Sequence, residues 1–495
     1  MEKEYVKLIE ALKSIKSLES IHNLLDWDQE TVMPKEGIHA RAKQSAELSY
    51  IIHQKKTSKN YENLISKCIN PKTKNIKLKS LDYRHQVNLK LILEDFSKAK
   101  KLPNKFVKNL AELKSLSSQA WSKAKSEDRF DDFAPYLEKI VTAMRKEADY
   151  LSYDDHPYDA LLDLYEPKMT VKEIDKLFKD LKKGLLDITQ TLFKIKSGNY
   201  SILNQELHED VQLKFCRSLL PTLGLSESIA RLDTSSHPFC NTIANGDIRL
   251  TTHIKPIDPF AAISSTMHEA GHGIYEAGLV QEDFGTPIGE ACSLGVHESQ
   301  SRLFETFIGQ SKPFIHYLAK ALKGKLSNLN EKDLYLALNK VEPSFIRIES
   351  DEVTYCLHIM IRYELEKQLI EGSLKVKDLR EAWNESMVKY LGIRPPTDRE
   401  GCLQDIHWSA GLFGYFPTYA LGNIYAAQIH ERLQTSFKDF DLMVGQGDFS
   451  KINSWLNHHI HRFGRERTPK ELIETATKKS LSADAYLNYL REKYL

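Results

Sequence analysis

A predominantly α fold is predicted for this 495-residue chain by three features of its pattern. Long stretches, 108–151, 171–196 and 351–370, carry apolar residues three and four apart with charges between them, the period of helices with one buried face. One short segment, Asp247 to Ile254, alternates with period two and reads as a strand. No Pro-, Gly- or Ser-rich linker, low-complexity tract or internal repeat divides the chain, so residues 1–495 are read as one domain. Within it, a helical N-terminal part, about 1–200, is expected to fold over a body of about 201–495.

Composition excludes several functions. The 69 Lys and Arg against 68 Asp and Glu leave a formal charge of +1, which gives no attraction to nucleic acid or to an anionic membrane. No apolar run approaches the roughly 20 residues of a membrane span, and Met1-Glu2-Lys3-Glu4-Tyr5 lacks the layout of a signal peptide, so a cytoplasmic protein is expected. Cys68, Cys216, Cys240, Cys292, Cys356 and Cys402 contain no CxxC pair, which argues against a disulfide framework or a thiolate zinc site. The lysine-rich segments 70–79 and 98–105 read as solvated loops or helix ends.

In chain order, the first element bearing on chemistry is the strand. Ile248, Leu250, Thr252 and Ile254 share one face, and Arg249, Thr251 and His253 the other. At a sheet edge, Arg249 and Thr251 would face a groove; the plainer reading is a half-buried strand with Arg249 ion-paired to Asp247 or another carboxylate. Next, the turn signal Asp258-Pro259 precedes Ile263, Met267, Ile274 and Leu279 at near-helical spacing. This half-buried helix contains His268-Glu269-Ala270-Gly271-His272, a complete HExxH. Histidines four apart put both imidazoles on one face, one turn apart, where they can hold a single metal ion. Glu269 lies about 100° around the axis, placed to reach a water at the metal without being a ligand. This is the arrangement of a zinc peptidase.

A catalytic zinc wants a third protein ligand and an open position. The extended HExxHxxGxxH pattern fails, because Tyr275 and Gly278 stand where its glycine and third histidine would be. A carboxylate from a following helix remains, and Glu298, in His297-Glu298-Ser299-Gln300 after the loop-like 284–289, is the leading candidate. Glu276, one turn beyond His272, and Glu305 compete with it.

Further motifs follow one another along the chain: His237-Pro238-Phe239; Asp247-Ile248-Arg249-Leu250-Thr251; Ile346-Arg347-Ile348-Glu349-Ser350-Asp351; and Gly401-Cys402-Leu403-Gln404-Asp405-Ile406-His407-Trp408. With the HExxH and His297-Glu298 segments, the chain resembles the carboxypeptidase Taq family of metallocarboxypeptidases. The likeness extends to Trp27-Asp28-Gln29-Glu30-Thr31 and Tyr158-Asp159-Ala160-Leu161-Leu162-Asp163, and so covers nearly the whole chain. It implies a cytosolic, mostly helical homodimer that removes single C-terminal residues from peptides with broad preference. It also implies His268, His272 and Glu298 as metal ligands and Glu269 as catalytic base. The fold expected is a large helical zincin-like metallopeptidase with a small β element beside the HExxH helix and a deep substrate groove.

A carboxypeptidase must bind a terminal carboxylate, which a guanidinium matches with two parallel hydrogen bonds. Arg347, opening a polar cluster before an apolar helix, leads for this role, with Arg249 behind it; an arginine amid acids is often a structural ion-pair partner. Zinc would lower the pKa of its water towards about 7, with Glu269 accepting the proton and passing one to the leaving amine. For the developing oxyanion, the stretch from His407 to Tyr419 offers His407, Tyr415 and Tyr419, of which His407 and Tyr415 lead, though such a stretch otherwise reads as core or pocket wall; His237 is a further groove candidate. The implied cofactor is one divalent ion per chain, Zn2+ with Co2+ as competitor, and the partners are peptides with a free C-terminus. The rival readings are an endo-acting oligopeptidase or dipeptidyl carboxypeptidase and, more distantly, a non-catalytic helical binding protein.

Overall fold

Capped apolar stripes account for most of the helices in the computed structural model, which describes residues 2–194, 201–326 and 329–495. The first half carries α1 Lys3–Thr31, α2 Ile38–Lys56, α3 Lys59–Cys68, α4 Tyr83–Lys101, α5 Asn104–Glu127, α6 Phe130–Leu151, α7 Pro157–Leu162, α8 Val171–Leu192 and α9 Glu209–Leu223. A small sheet follows: β1 Ala230–Thr234, β2 Cys240–Ala244 and β3 Asp247–Thr252. Then come α10 Pro259–Gly278, α11 Leu294–Arg302, α12 Lys312–Ala321, α13 Glu331–Leu338, α14 Glu352–Glu371, α15 Leu379–Leu391 and α16 Phe416–Ser436. The chain closes with α17 Phe440–Gln446, α18 Ser450–His459, α19 Pro469–Thr477 and α20 Asp484–Tyr494. Among the described residues no helix is long and apolar enough to cross a membrane.

The helical stretches read from the pattern occur with local differences. The stretch 108–151 divides into α5 and α6, because Asp128 takes a left-handed φ of 58° and ends α5 there. The stretch from Val171 begins with a capping box, Thr170 and Glu173, and is helical to Leu192; its last residues, 195 and 196, lie outside the described residues. Asp351 caps α14, accepting hydrogen bonds from the backbone N–H groups of Val353 and Thr354.

The sheet has the order β1-β3-β2, with β3 parallel to β1 and antiparallel to β2. This corrects the edge-strand reading of 247–254, since β3 is the middle strand; alternation shows which faces a strand presents but not which neighbours it has. The strand also stops at Thr252, opposite Thr234 at the end of β1, so His253 and Ile254 lie beyond the paired strand. Ile248 and Leu250 are buried on the side that carries α10, where the Thr252 hydroxyl donates to the Ala262 carbonyl at 3.0 Å. On the other face α1 crosses the sheet: Arg249 and Arg231 lie over the Trp27 ring at 4.3 and 5.3 Å, and Asn23 donates to the Thr242 carbonyl.

Two apolar cores are present. The smaller joins α1, α3 and α4 through residues from Tyr5 to Phe96, and the larger runs from Leu110 to Leu490 and contains α10, α11, α14 and α16. The contact that positions the site is between α10 and α11. A Cβ on Gly271 would lie 2.4 Å from the Gln300 carbonyl oxygen, so the two backbones touch only because residue 271 has no side chain. On α16, a Cβ at Gly422 would meet the Glu298 Cγ at 2.5 Å. The start of α11 is held by the fully buried Glu166, which accepts from the Gly295 N–H at 3.1 Å and the Tyr425 hydroxyl at 2.8 Å.

His430 on α16 is 8 % exposed, ringed by Phe307, Phe440 and Tyr489, and burial lowers its pKa to about 4, with Lys493 adding to the shift. The unfolded chain takes up this proton below about 6.5, while the folded chain does not until about 4. The stability it contributes is therefore complete above about 6.5 and lost as pH falls towards 4, by about 1–3 kcal/mol. His430→Phe should show a smaller fall in melting temperature than the parent between pH 6.5 and 4.5, followed by circular dichroism. Parallel curves would contradict the assignment.

Candidate active site and metal centre

Each residue of the HExxH segment owes its direction to α10. The helix starts at Asp258, whose side chain accepts from the Ala261 N–H at 3.1 Å, and Pro259 occupies its first turn. Phe260, Ile263, Met267 and Ile274 turn into the core, which leaves His268 and His272 on the opposite side towards α11. There the Nε2 atoms of His268 and His272 lie 3.8 and 3.7 Å from Oε2 of Glu298. These are too long for hydrogen bonds and close to the roughly 3.4 Å that separates donors around one tetrahedral ion at 2.0–2.2 Å. The ligand atoms of the three side chains all lie within 4.8 Å of one another, a donor set that fits a divalent ion.

The outward nitrogens are already engaged. Nδ1 of His268 is 2.8 Å from Oε2 of Glu305, and Nδ1 of His272 is 3.1 Å from the carbonyl of His297. His297 stacks on His272 at 4.4 Å, and its Nε2 meets Glu276 at 2.9 Å. Glu276 and Glu305, the competitors for the third position, therefore each face a histidine from behind. Glu269 is 6 % exposed, and burial pushes its carboxyl up to about 7 against the lowering effect of His268. Burial opposes charge on His268 as well, but Glu305 and Glu298 hold it up at about 9.

A cleft of about 570 Å³ lies behind His272, where His297 and Glu276 face it; its other walls are β2, Ala277 at the end of α10, and Lys16 and Asn23 of α1. The sheet edge beside the cleft is β2, which carries Cys240, Asn241 and Thr242 and is met by Asn23 of α1.

A second polar cluster is built around Asp405. Its Oδ1 accepts from Nε and Nη2 of Arg347 at 3.0 and 2.8 Å, and its Oδ2 from Nε of Arg362 at 2.6 Å. Gln404 accepts from Nη2 of Arg362 and from the Arg347 backbone N–H. The two guanidiniums hold the Asp405 carboxyl far below the usual range despite burial. Arg347, 6 % exposed, keeps Nη1 for the Tyr355 hydroxyl at 3.0 Å. His407 meets the Tyr419 hydroxyl at 3.1 Å, and its ring lies 5.4 Å from that of Tyr415; burial, outweighing Asp405, lowers it to about 4. The clusters join through Arg302, which pairs with Glu305 and lies over the Tyr355 ring at 5.2 Å.

The structure thus brings His268, His272, Glu298 and Glu269 together, and gathers Arg347, His407 and Tyr415 around Asp405. It places the other candidates elsewhere. Arg249 is bidentate to Asp247, at 2.8 and 2.9 Å, and covered by Trp27; His237 is exposed in the β1–β2 connection. The residue pattern gives Asp405, Arg362, Arg302 and Tyr355 no individual role. A signal existed for Arg362, a charge in the middle of the apolar run of α14 and fully buried there.

The family model that matches this chain is described as carboxypeptidase Taq (M32) metallopeptidase and spans residues 7–494. The chain is 36% identical over 500 residues to carboxypeptidase 1 of Bacillus subtilis, covering 100% of this chain and 98% of the relative. It is 37% identical over 485 residues to thermostable carboxypeptidase 1 of Pyrococcus furiosus, covering 96% and 95%. Among solved structures, the M32 carboxypeptidase from Deinococcus radiodurans superposes with a TM-score of 0.95 at 32% identity, over 100% of this chain and 99% of the other.

Asp405→Asn would leave Arg347 and Arg362 buried without the carboxylate they share. The expected loss is about 3–5 kcal/mol of unfolding free energy, measured by urea denaturation. A loss below about 1 kcal/mol would mean that the pair is neutralised by another group.

Proposed function

The chain belongs to the carboxypeptidase Taq metallopeptidase family, and on that premise we propose that His268, His272 and Glu298 hold one zinc ion and Glu269 is the base of a C-terminal peptide hydrolysis. The protein is a metallocarboxypeptidase, a hydrolase acting on peptides with a divalent metal. The observation that carries the residue assignment is the convergence of two Nε2 atoms and one carboxylate oxygen within 4.8 Å, with Glu269 beside them on the same helix. Two imidazoles and a carboxylate suit zinc, with cobalt as the competitor.

When bound, the metal supplies Lewis acidity for water and for the scissile carbonyl. Glu269, buried and raised to about 7, takes the proton of the attacking water and returns one to the leaving amine. Arg347 pairs with the terminal carboxylate of the peptide. Asp405 grips one edge of its guanidinium and fixes the plane of the fork. Tyr355 accepts from Nη1 of Arg347 at 3.0 Å, and the Arg347 guanidinium lies over the Tyr419 ring at 5.0 Å. Tyr415 and His407 are the proposed donors to the developing oxyanion. Release of single residues with broad preference, a homodimeric state, a cytoplasmic location and one domain with its N-terminal helices as the cleft's outer wall complete the reading.

Mass spectrometry of a short peptide, with its C-terminus free or amidated and with or without a chelator, tests it. A ladder of single C-terminal losses from the free acid alone, abolished by chelation, is the expected result; internal cuts in both peptides would replace it with an oligopeptidase. Glu269→Gln should lower kcat by at least about a hundredfold while leaving metal content unchanged. Arg347→Ala should lower kcat/KM on the free acid by about a hundredfold or more, and an equal rate on the two peptides would be its signature.

A further inference from the structure

One carboxylate near the ligands has no role in the reaction as described. Past Arg302, α11 continues as a π turn over Leu303–Ile308. Such i→i+5 turns accommodate one extra residue and recur at functional sites. Glu305 lies in this turn, and its side chain reaches back to α10. Oε2 is 2.8 Å from Nδ1 of His268, and Oε1 accepts from the Ser264 hydroxyl at 3.2 Å. Arg302, fixed by Asn423 at 3.0 Å, donates to Oε2 at 2.7 Å. The carboxylate thus meets His268 at the nitrogen that does not face Glu298.

We propose that Glu305 is a positioning residue for the metal ligand His268: held by Arg302 and Ser264, it keeps the proton on Nδ1 and the Nε2 lone pair aimed at the ion. An imidazole has two nitrogens, and a carboxylate on one selects the tautomer that ligates through the other while making that nitrogen a stronger donor. His272 has only the His297 carbonyl behind it, so the two ligands are unequal: one backed by a charge, the other by a neutral dipole. The π turn is the backbone feature that makes this possible, by re-aiming Glu305 from a helix that already supplies Glu298.

The inference rests on the reading of His268, His272 and Glu298 as ligands, and the test separates the two. The zinc dissociation constant of the chelator-stripped protein is measured by competition with a chromophoric chelator for the parent, Glu305→Ala, Glu305→Gln and His272→Ala. The hydrogen bond of His268 Nδ1–H is read from the 1H and 15N shifts of that group in the zinc-loaded protein. Glu305→Ala should weaken zinc binding by about 10–100-fold and lose the downfield Nδ1–H signal of a hydrogen bond to a carboxylate. Glu305→Gln, which keeps the shape and an accepting oxygen, should retain a hydrogen-bonded Nδ1–H with a smaller loss of affinity; if the alanine variant does not fold, the glutamine variant carries the test. Parent-like zinc affinity in both Glu305 variants, with His272→Ala still abolishing binding, would overturn the positioning role and leave the ligand assignment intact. Undiminished binding in His272→Ala would instead overturn the ligand assignment.

Discussion

The contact between α10 and α11 is the constraint on which the rest of the site depends. The candidate ligands come from two helices, and three donors can share an ion only if their separation is set to a fraction of an ångström. That setting comes from Gly271, which lies between the two histidines and touches the backbone of Gln300 and Ser301. Any side chain there would push α11 away and carry Glu298 with it. Gly422 does the same from α16, giving the Glu298 stem room to lie against a third helix. His461 then ties Gln300 from behind at 2.9 Å, and Glu166 holds the first turn of α11. The ligand geometry is therefore a property of close-packed backbones more than of the side chains that carry the chemistry.

Around this frame the protein buries far more charge than a stable core would choose. Arg302, Glu305, Arg347, Arg362, Asp405 and Glu269 are all withdrawn from water, and desolvation penalises each of them. Apart from Glu269, each is matched by an opposite charge and further hydrogen bonds, and the partners come from different elements. Arg347 precedes α14, Arg362 lies within it, and Asp405 arrives from the segment before α16. Glu269, without a salt bridge, instead has its affinity for a proton raised by burial, as Glu166 and Glu366 do, which suits the role of base proposed for it.

Much of this was legible in the residues, to different depths. The helical period identified most of the large elements, and HExxH picked out two candidate ligands and a candidate base because i, i+4 spacing has a fixed meaning on a helix. The strand was legible as a strand but not as the middle one, since alternation is the same in an edge and a central strand. Arg249 could be read as a groove residue or as the partner of Asp247, and Trp27, more than 200 residues away, is what covers it. Glu305 was visible as a nearby acid, but its direction depends on a π turn that the sequence pattern of α11 does not announce. The motif around Asp405 was noticed for His407, while the Asp405 bridge between Arg347 and Arg362 joins residues 43 and 58 positions apart.

The sequence by itself determined the class of chemistry, the helix that bears it and the family resemblance. These follow from residue types at short, fixed spacings, and local geometry converts such spacings directly into direction. Packing decided which carboxylates face the histidines from the front and which from behind, which carboxylate each arginine pairs with, and which strand lies in the middle of the sheet. Those outcomes depend on where two backbones can touch. That is settled by packing over the whole chain, and in this protein by the absence of a single side chain at Gly271.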